Sequence, residues 1–185
     1  ERFSGGEYGR YIFAGGRIAP GKRQHLLIEA MRFVRSDLRL VIAGPLDEAS
    51  YGTRLLSIVS EHDLEERVEL RFGFRDREEI AGLVNGAFAC AYLPVDEDSL
   101  GYVTMEAFAA AKAVLSVADA GGLLEIVEDK QTGRVVEPAL DQLAEAIDWL
   151  AGKPERAAAM GRAARAHLEA RELTWGRTID VLLDS

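Results

Sequence analysis

Two carboxylates, Asp98 and Glu106, stand eight residues apart in Asp98-Ser99-Leu100-Gly101-Tyr102-Val103-Thr104-Met105-Glu106-Ala107-Phe108, with Gly101 between them. Gly101 has no Cβ, so a ligand can come close to the backbone there. The run Glu106-Ala107-Phe108-Ala109-Ala110-Ala111 predicts the body of a helix that opens just after the glycine. A loop carboxylate and a helix carboxylate can then converge on one polyhydroxylated ligand, with the N–H groups of the first helical turn facing its phosphate. A carboxylate only accepts hydrogen bonds and can take them from two vicinal hydroxyls. Glu106 would also favour its own helix through the macrodipole, and the two roles are compatible.

A second constellation is cationic: Gly15-Gly16-Arg17-Ile18-Ala19-Pro20-Gly21-Lys22. Arg17 can fork onto phosphate oxygens and Lys22 can add a point charge. Taken alone, the pair reads as two solvated surface cations. Beside Asp98 and Glu106 it reads as a place for a phosphate-bearing ligand.

These residues need a frame, and the chain supplies short β-rich runs that alternate with longer helical patterns. Strands are expected over 11–14, 38–43, 68–72, 87–92, 113–117 and 134–136, several of them near-continuous apolar runs. Helices are expected over 23–34, 49–61, 77–85 and 103–111. Gly15-Gly16, Gly44-Pro45 and Gly73 punctuate the strand ends. Alternation of this length predicts an α/β domain, a doubly wound Rossmann-like parallel sheet of about six strands. After Pro138 the pattern turns helical, over 140–151, 154–170 and roughly 173–183. In such a sheet ligands sit outside the carboxyl ends of the strands, where Arg17 and Lys22 fall.

The chain has 185 residues, enough for one sizeable core. Hydrophobic residues make up 48% and charged residues 29%, the balance of a globular domain. There are 31 acidic and 22 basic residues, for a net charge of −9. That surface repels phosphodiester backbones and argues against nucleic acid as a partner, while a few local cations can still hold a small anion. Cys90, the one cysteine, lies in an apolar run with no cationic neighbour and reads as a buried structural thiol. With no partner for a disulfide and no apolar run of about 18 residues, a cytoplasmic protein is expected. The polar, glycine-rich residues 1–10 read as a linker stub, and 11–185 as the domain.

The Asp98–Glu106 stretch resembles the carboxylate-x7-carboxylate signature of retaining, nucleotide-sugar-dependent glycosyltransferases with the two-domain GT-B architecture (glycosyl transferases group 1). Gly16-Arg17 followed by Lys22 resembles the family's Gly-Arg-x4-Lys element. The resemblance implies that Arg17 and Lys22 are catalytic, holding the donor diphosphate and stabilising its charge as the sugar leaves. It implies that Glu106 binds the ribose, that Asp98 contacts hydroxyls of the transferred sugar, and that backbone around Gly101, Tyr102 and Val103 completes the donor site. Glutamate is the usual residue at the position of Asp98, and a loop shift of one residue would bring Glu97 in instead. Val68 to Arg75 resembles the strand and turn that read the base, which sets Phe74 and Arg75 beside it; core packing is the other reading of Phe74. Ala120-Gly121-Gly122 resembles the family's glycine-rich turn before the next helix, and the plainer reading is a tight strand-to-helix connection. Trp175 resembles the tryptophan opening a terminal helix, over 173–185, that packs toward the other domain; simple core packing is its alternative.

No cofactor or metal is expected. Asp96-Glu97-Asp98 spells Asp-x-Asp, which binds divalent cations in a differently folded class of glycosyltransferases, but in the GT-B frame that role passes to Arg17 and Lys22. His25, His62 and His167 lack zinc-ligand spacing. The resemblance thus implies the C-terminal, donor-binding half of an enzyme that moves a sugar from a nucleoside diphosphate to an acceptor hydroxyl with retention. An N-terminal acceptor-binding domain of the same protein would complete it. Association with the inner face of a membrane would come only through that missing half. The alternative is a glycosyltransferase-like module that binds a nucleotide or a partner without chemistry. A dinucleotide-dependent oxidoreductase fits poorly, since the first strand-loop lacks Gly-x-Gly-x-x-Gly.

Overall fold

In the computed structural model, which describes residues 3–4 and 8–171, six parallel strands form one sheet. They are β1 (Tyr11–Gly15), β2 (Arg39–Gly44), β3 (Val68–Phe72), β4 (Ala89–Ala91), β5 (Val114–Val117) and β6 (Gly133–Val136). Their spatial order is β3-β2-β1-β4-β5-β6. The chain therefore builds outward from β1 in one direction, then crosses back and builds from β4 in the other. The reversal falls between β1 and β4, the switch point at which two neighbouring crossovers diverge and leave a crevice. Trp175 and the terminal helix expected over 173–185 lie outside the described residues.

The central strands are buried because helices flank the sheet, which explains their lack of alternation: Ile12, Phe13, Leu40, Ile42, Ala89, Cys90 and Leu115 are all at most 1% exposed. The helices are α1 (Gln24–Ala30), α2 (Ala49–Glu61), α3 (Arg77–Asn85), α4 (Tyr102–Ala109), α5 (Leu140–Ala151) and α6 (Pro154–Ala170). Helix α1 packs with α2 and α5, and α4 with α3 and α6. Helix α3 starts at a capping box: the Asp76 carboxylate accepts from the N–H groups of Glu78 (2.9 Å) and Glu79 (2.8 Å), and Glu79 reaches back to the Asp76 N–H.

Strand β4 is shorter than the expected 87–92 and α4 spans Tyr102–Ala109 against 103–111, and two elements differ more. Helix α1 ends at Ala30 rather than running to 34. The Arg67 guanidinium stops it by taking the carbonyls of Val34 (2.8 Å), Ser36 (2.8 Å) and Leu38 (3.0 Å), which pulls that segment into a turn feeding β2. The segment after Gly121 forms one 3-10 turn, Gly122–Glu125, in place of a full helix.

Candidate functional site

At the carboxyl end of β1 the chain turns sharply and is tied to the loop after β2: the Ile18 N–H donates to the Pro45 carbonyl (2.8 Å) and the Asp47 N–H to the Ile18 carbonyl (3.0 Å). Within this loop Arg17 is exposed, and its carbonyl accepts from the amide of buried Gln24 (3.1 Å). A single 3-10 turn, Pro20–Lys22, then carries Lys22 toward the end of β4. The loop after β4 meets it there, with the Val95 N–H on the Gly21 carbonyl (3.0 Å).

Lys22 Nζ pairs with Glu97 Oε2, and the Tyr92 hydroxyl donates to the same oxygen at 3.0 Å. The ammonium lies 5.3 Å from the centre of the Tyr92 ring. The side chains of Lys22 and Glu97 are only 18% and 24% exposed, so the pair is partly desolvated. Burial would lower the Lys22 pKa, but its bonds to Glu97 and Tyr92 outweigh that and hold it above the ordinary lysine value. Burial would likewise raise Glu97, yet the bonds from Lys22 and Tyr92 and the nearby charge of Arg17 keep it below the ordinary carboxylate value. Both groups are therefore charged at neutral pH.

Residues 96–98 are held by the backbone. The Asp96 N–H donates to the Asp119 carbonyl (2.9 Å), the Glu97 N–H to that of Ala120 (3.1 Å), and the Gly122 N–H to that of Glu97 (2.6 Å). This explains the Gly121-Gly122 pair better than a strand-to-helix connection does: a Cβ on Gly121, which has φ +84°, would lie 2.4 Å from Glu97 N. Only a residue without a side chain lets the turn after β5 pack this closely on the acidic loop.

Gly101 (φ +72°) then starts α4, and a Cβ there would come within 2.7 Å of the Tyr92 ring. The N–H groups of Thr104 and Met105 both bond to the Gly101 carbonyl, so those of Tyr102 and Val103 precede the helical ladder and have no partner within it. They point out of a helix N-terminus, which favours an anion. Val103 lies beside the β1 turn, since a Cβ on Gly16 would sit 2.9 Å from its Cγ2. Tyr102 is 75% exposed.

Glu106 sits on the second turn of α4, half-buried, and forms no hydrogen bond or ion pair within the described residues. Burial raises its pKa, against the nearby charge of Arg77 on α3. A carboxylate in that state gains from a ligand that donates to it. Asp98 is exposed on the loop, whereas Glu97 is the carboxylate that meets the cations. Phe74, 84% exposed, is not packed in the core. Arg75 turns back on its own segment, with Nη2 on the Phe72 carbonyl (3.4 Å) and Nη1 3.8 Å from Glu79. Cys90 is buried, which pushes its thiol up to about 12. The structure thus brings together Lys22, Glu97 and Tyr92 beside Arg17, while Phe74 and Arg75 stand apart at the end of β3.

Tyr92 and three further residues with a part in this site carried no signal strong enough to single out. Arg23, directly after Lys22, sends its guanidinium to both oxygens of Asp119 (2.7 and 2.9 Å) and to the carbonyls of Leu93 (2.9 Å) and Pro94 (2.5 Å). It clasps the loops after β1, β4 and β5 together. Asp119 is held below its ordinary pKa by those bonds. Thr104 is buried, and its hydroxyl has no partner among the described residues. The one available clue was position, since Arg23 and Asp119 both fall just past the carboxyl ends of strands.

Fold and loops together define a doubly wound α/β domain whose switch point carries Arg17, Lys22 and the N-terminus of α4. Residues 4–167 match the family model for glycosyl transferases group 1, and the chain belongs to that family. It is 32% identical over 178 residues to the D-inositol 3-phosphate glycosyltransferase of Gordonia bronchialis, covering 92% of this chain and 38% of that protein. Among solved structures, the Anabaena protein HepE in complex with UDP and glucose superposes with a TM-score of 0.85 at 24% identity, over 95% of this chain and 48% of HepE. The C-terminal domain of a glycosyl transferase group 1 family protein from Francisella tularensis superposes with a TM-score of 0.79 at 22% identity. That match covers 91% of this chain and 88% of that domain. The chain spans less than half the length of the first two proteins.

Proposed function

We propose that this chain is the donor-binding half of a retaining glycosyltransferase that moves a sugar from a nucleoside diphosphate to an acceptor hydroxyl. The observation that carries the reading is the convergence of Arg17, Lys22 and the open N-terminus of α4 at the switch point. As the bond between sugar and diphosphate breaks, negative charge gathers on the departing oxygen. Arg17 and Lys22 would meet that charge, together with the N–H groups of Tyr102 and Val103, once the crevice is closed to water. No metal is needed in this account. Glu106 would take the ribose hydroxyls and Asp98 those of the sugar, while Phe74 and Arg75 would flank the base. The presence of UDP in the HepE structure supports a nucleotide sugar as ligand.

An N-terminal domain of the same protein would present the acceptor and close the crevice, so this chain should bind donor nucleotide weakly and transfer nothing alone. We place the protein in the cytoplasm, with any contact to the inner membrane face made by that other half. Among the described residues no helix is long and apolar enough to cross a membrane. The test uses the parent protein: Arg17→Ala and Glu106→Ala should each abolish sugar transfer. The anomeric configuration of the product, read by NMR, should match that of the donor. Turnover indifferent to both substitutions would overturn the reading in favour of a module that binds a partner without chemistry.

A further inference from the structure

Glu97 holds Lys22, one of the two cations that the proposed reading assigns to a phosphate. Its carboxylate takes the Lys22 ammonium and the Tyr92 hydroxyl on one oxygen and lies within the field of Arg17. Lys22 therefore already holds an anion, with Arg17 close enough for its charge to act on it, and that anion belongs to the chain. We infer that Glu97 is an internal stand-in for the donor diphosphate, and that its displacement from Lys22 sets how tightly this domain holds a nucleoside diphosphate. The inference rests on the proposed function and adds to it a residue that opposes binding.

The geometry limits how displacement can occur. The Glu97 backbone is fixed on both sides, by its N–H to Ala120 and by its carbonyl to Gly122. Gly121 packs so closely on it that the two segments form a parallel β-bridge. The loop cannot swing away as a unit without breaking these bonds, so only the side chain can leave. A diphosphate entering the crevice must take Lys22 from a partner that is itself partly buried and doubly hydrogen-bonded. It must also overcome repulsion from a carboxylate that stays ionised. Two negative groups cannot share one ammonium in a crevice without cost, and the cost falls on the ligand's affinity. Replacing the carboxylate by its isosteric amide removes the competing charge. It retains an oxygen that can accept from the Tyr92 hydroxyl, so the loop has no new reason to move.

The experiment titrates this chain with inorganic pyrophosphate and with UDP, GDP and ADP by calorimetry, beside the variants Glu97→Gln and Asp96→Asn. Asp96 is an exposed carboxylate one residue away, with no part in the cation pair. Its variant therefore measures what a change of net charge alone does. Glu97→Gln should bind pyrophosphate and the preferred nucleoside diphosphate about three- to tenfold more tightly, while Asp96→Asn stays close to the parent chain. Thermal melts of all three confirm that folded proteins are compared. Affinity in Glu97→Gln that is unchanged or weaker would overturn the inference and make Glu97 a donor contact or a structural group. An equal gain in both variants would overturn it in favour of long-range charge. Binding by none of the three chains would remove the proposed donor site itself, and the inference with it, an outcome distinct from the other two.

Discussion

Arg23 offers the sharpest test of how the crevice is held together. It adopts a left-handed backbone conformation, φ +53°, that costs an ordinary residue about 1 kcal/mol, and glycine almost nothing. The chain keeps an arginine there, and the reason lies in its four hydrogen bonds. Two are charge-assisted contacts to Asp119, and two satisfy the carbonyls of Leu93 and Pro94. The guanidinium side chain is only 11% exposed, whereas Asp119 is 51% exposed and can be rehydrated once released. Removal of the arginine should therefore cost less than breaking a fully buried pair, about 2–4 kcal/mol for Arg23→Ala. Arg23→Gly loses the same contacts but relieves the backbone, so it should be about 1 kcal/mol more stable than the alanine variant. Both should weaken nucleotide binding, because Lys22 is the preceding residue and the loop that carries Glu97 is the other end of the clasp. Urea unfolding followed by circular dichroism measures the two stabilities. Arg23→Ala within about 0.5 kcal/mol of the parent chain would refute the clasp, and glycine less stable than alanine would refute the backbone argument.

Two further outcomes are expected of the same loops and their neighbours. His25 is half-buried against Tyr51, with its Nδ1 3.0 Å from the hydroxyl, and burial together with the charges of Arg54 and Arg23 lowers its pKa to about 4. Its folded pKa lies below the unfolded 6.5, so the unfolded chain binds the proton first as pH falls. The stability it contributes is complete above pH 6.5 and is lost down to about pH 4; with screening at a half-exposed ring this amounts to about 1–2 kcal/mol. Unfolding midpoints of the parent chain and of His25→Phe should converge in behaviour above pH 7, about half a unit past that point, and only the parent should lose this increment below it; equal slopes would contradict the assignment. Gly121→Ala forces a Cβ within 2.4 Å of Glu97 N at a positive φ, so it should cost about 3 kcal/mol and displace the acidic loop. A melt close to that of the parent chain would show that the contact is soft.

The fold was legible because each central strand announces itself as a short apolar run and each helix as a longer periodic one. Four strands moved by only a residue at one end or both, β3 coincides, and α2, α3, α5 and α6 coincide with the ranges expected. The misplacement at α1 has a tertiary cause: Arg67, over thirty residues away, terminates a segment whose own periodicity would carry on. The candidate site could be named where a residue type announces chemistry, and the structure sets Arg17 and Lys22 in the loop after β1 and Glu106 on α4. It was not legible where pairing across the sheet decides the matter. Spacing in one dimension ranks Asp98 above Glu97, but the bridge to the turn after β5 sets which carboxylate faces Lys22. Lys112 makes the same point away from the site. Its alanine neighbours give no sign of a partner, yet it is buried with its ammonium 4.0 Å from the centre of the Tyr8 ring.

The central claim is that the crevice at the switch point holds a nucleoside diphosphate, and calorimetric titration of this chain with UDP, GDP and ADP addresses it most directly, with Glu106→Ala alongside. The account predicts weak, selective binding of one diphosphate and its loss in Glu106→Ala, whose thermal melt should stay close to that of the parent chain because Glu106 has no bonded partner to abandon. Binding that is indifferent to the base and survives Glu106→Ala, or no binding of any diphosphate, would contradict it.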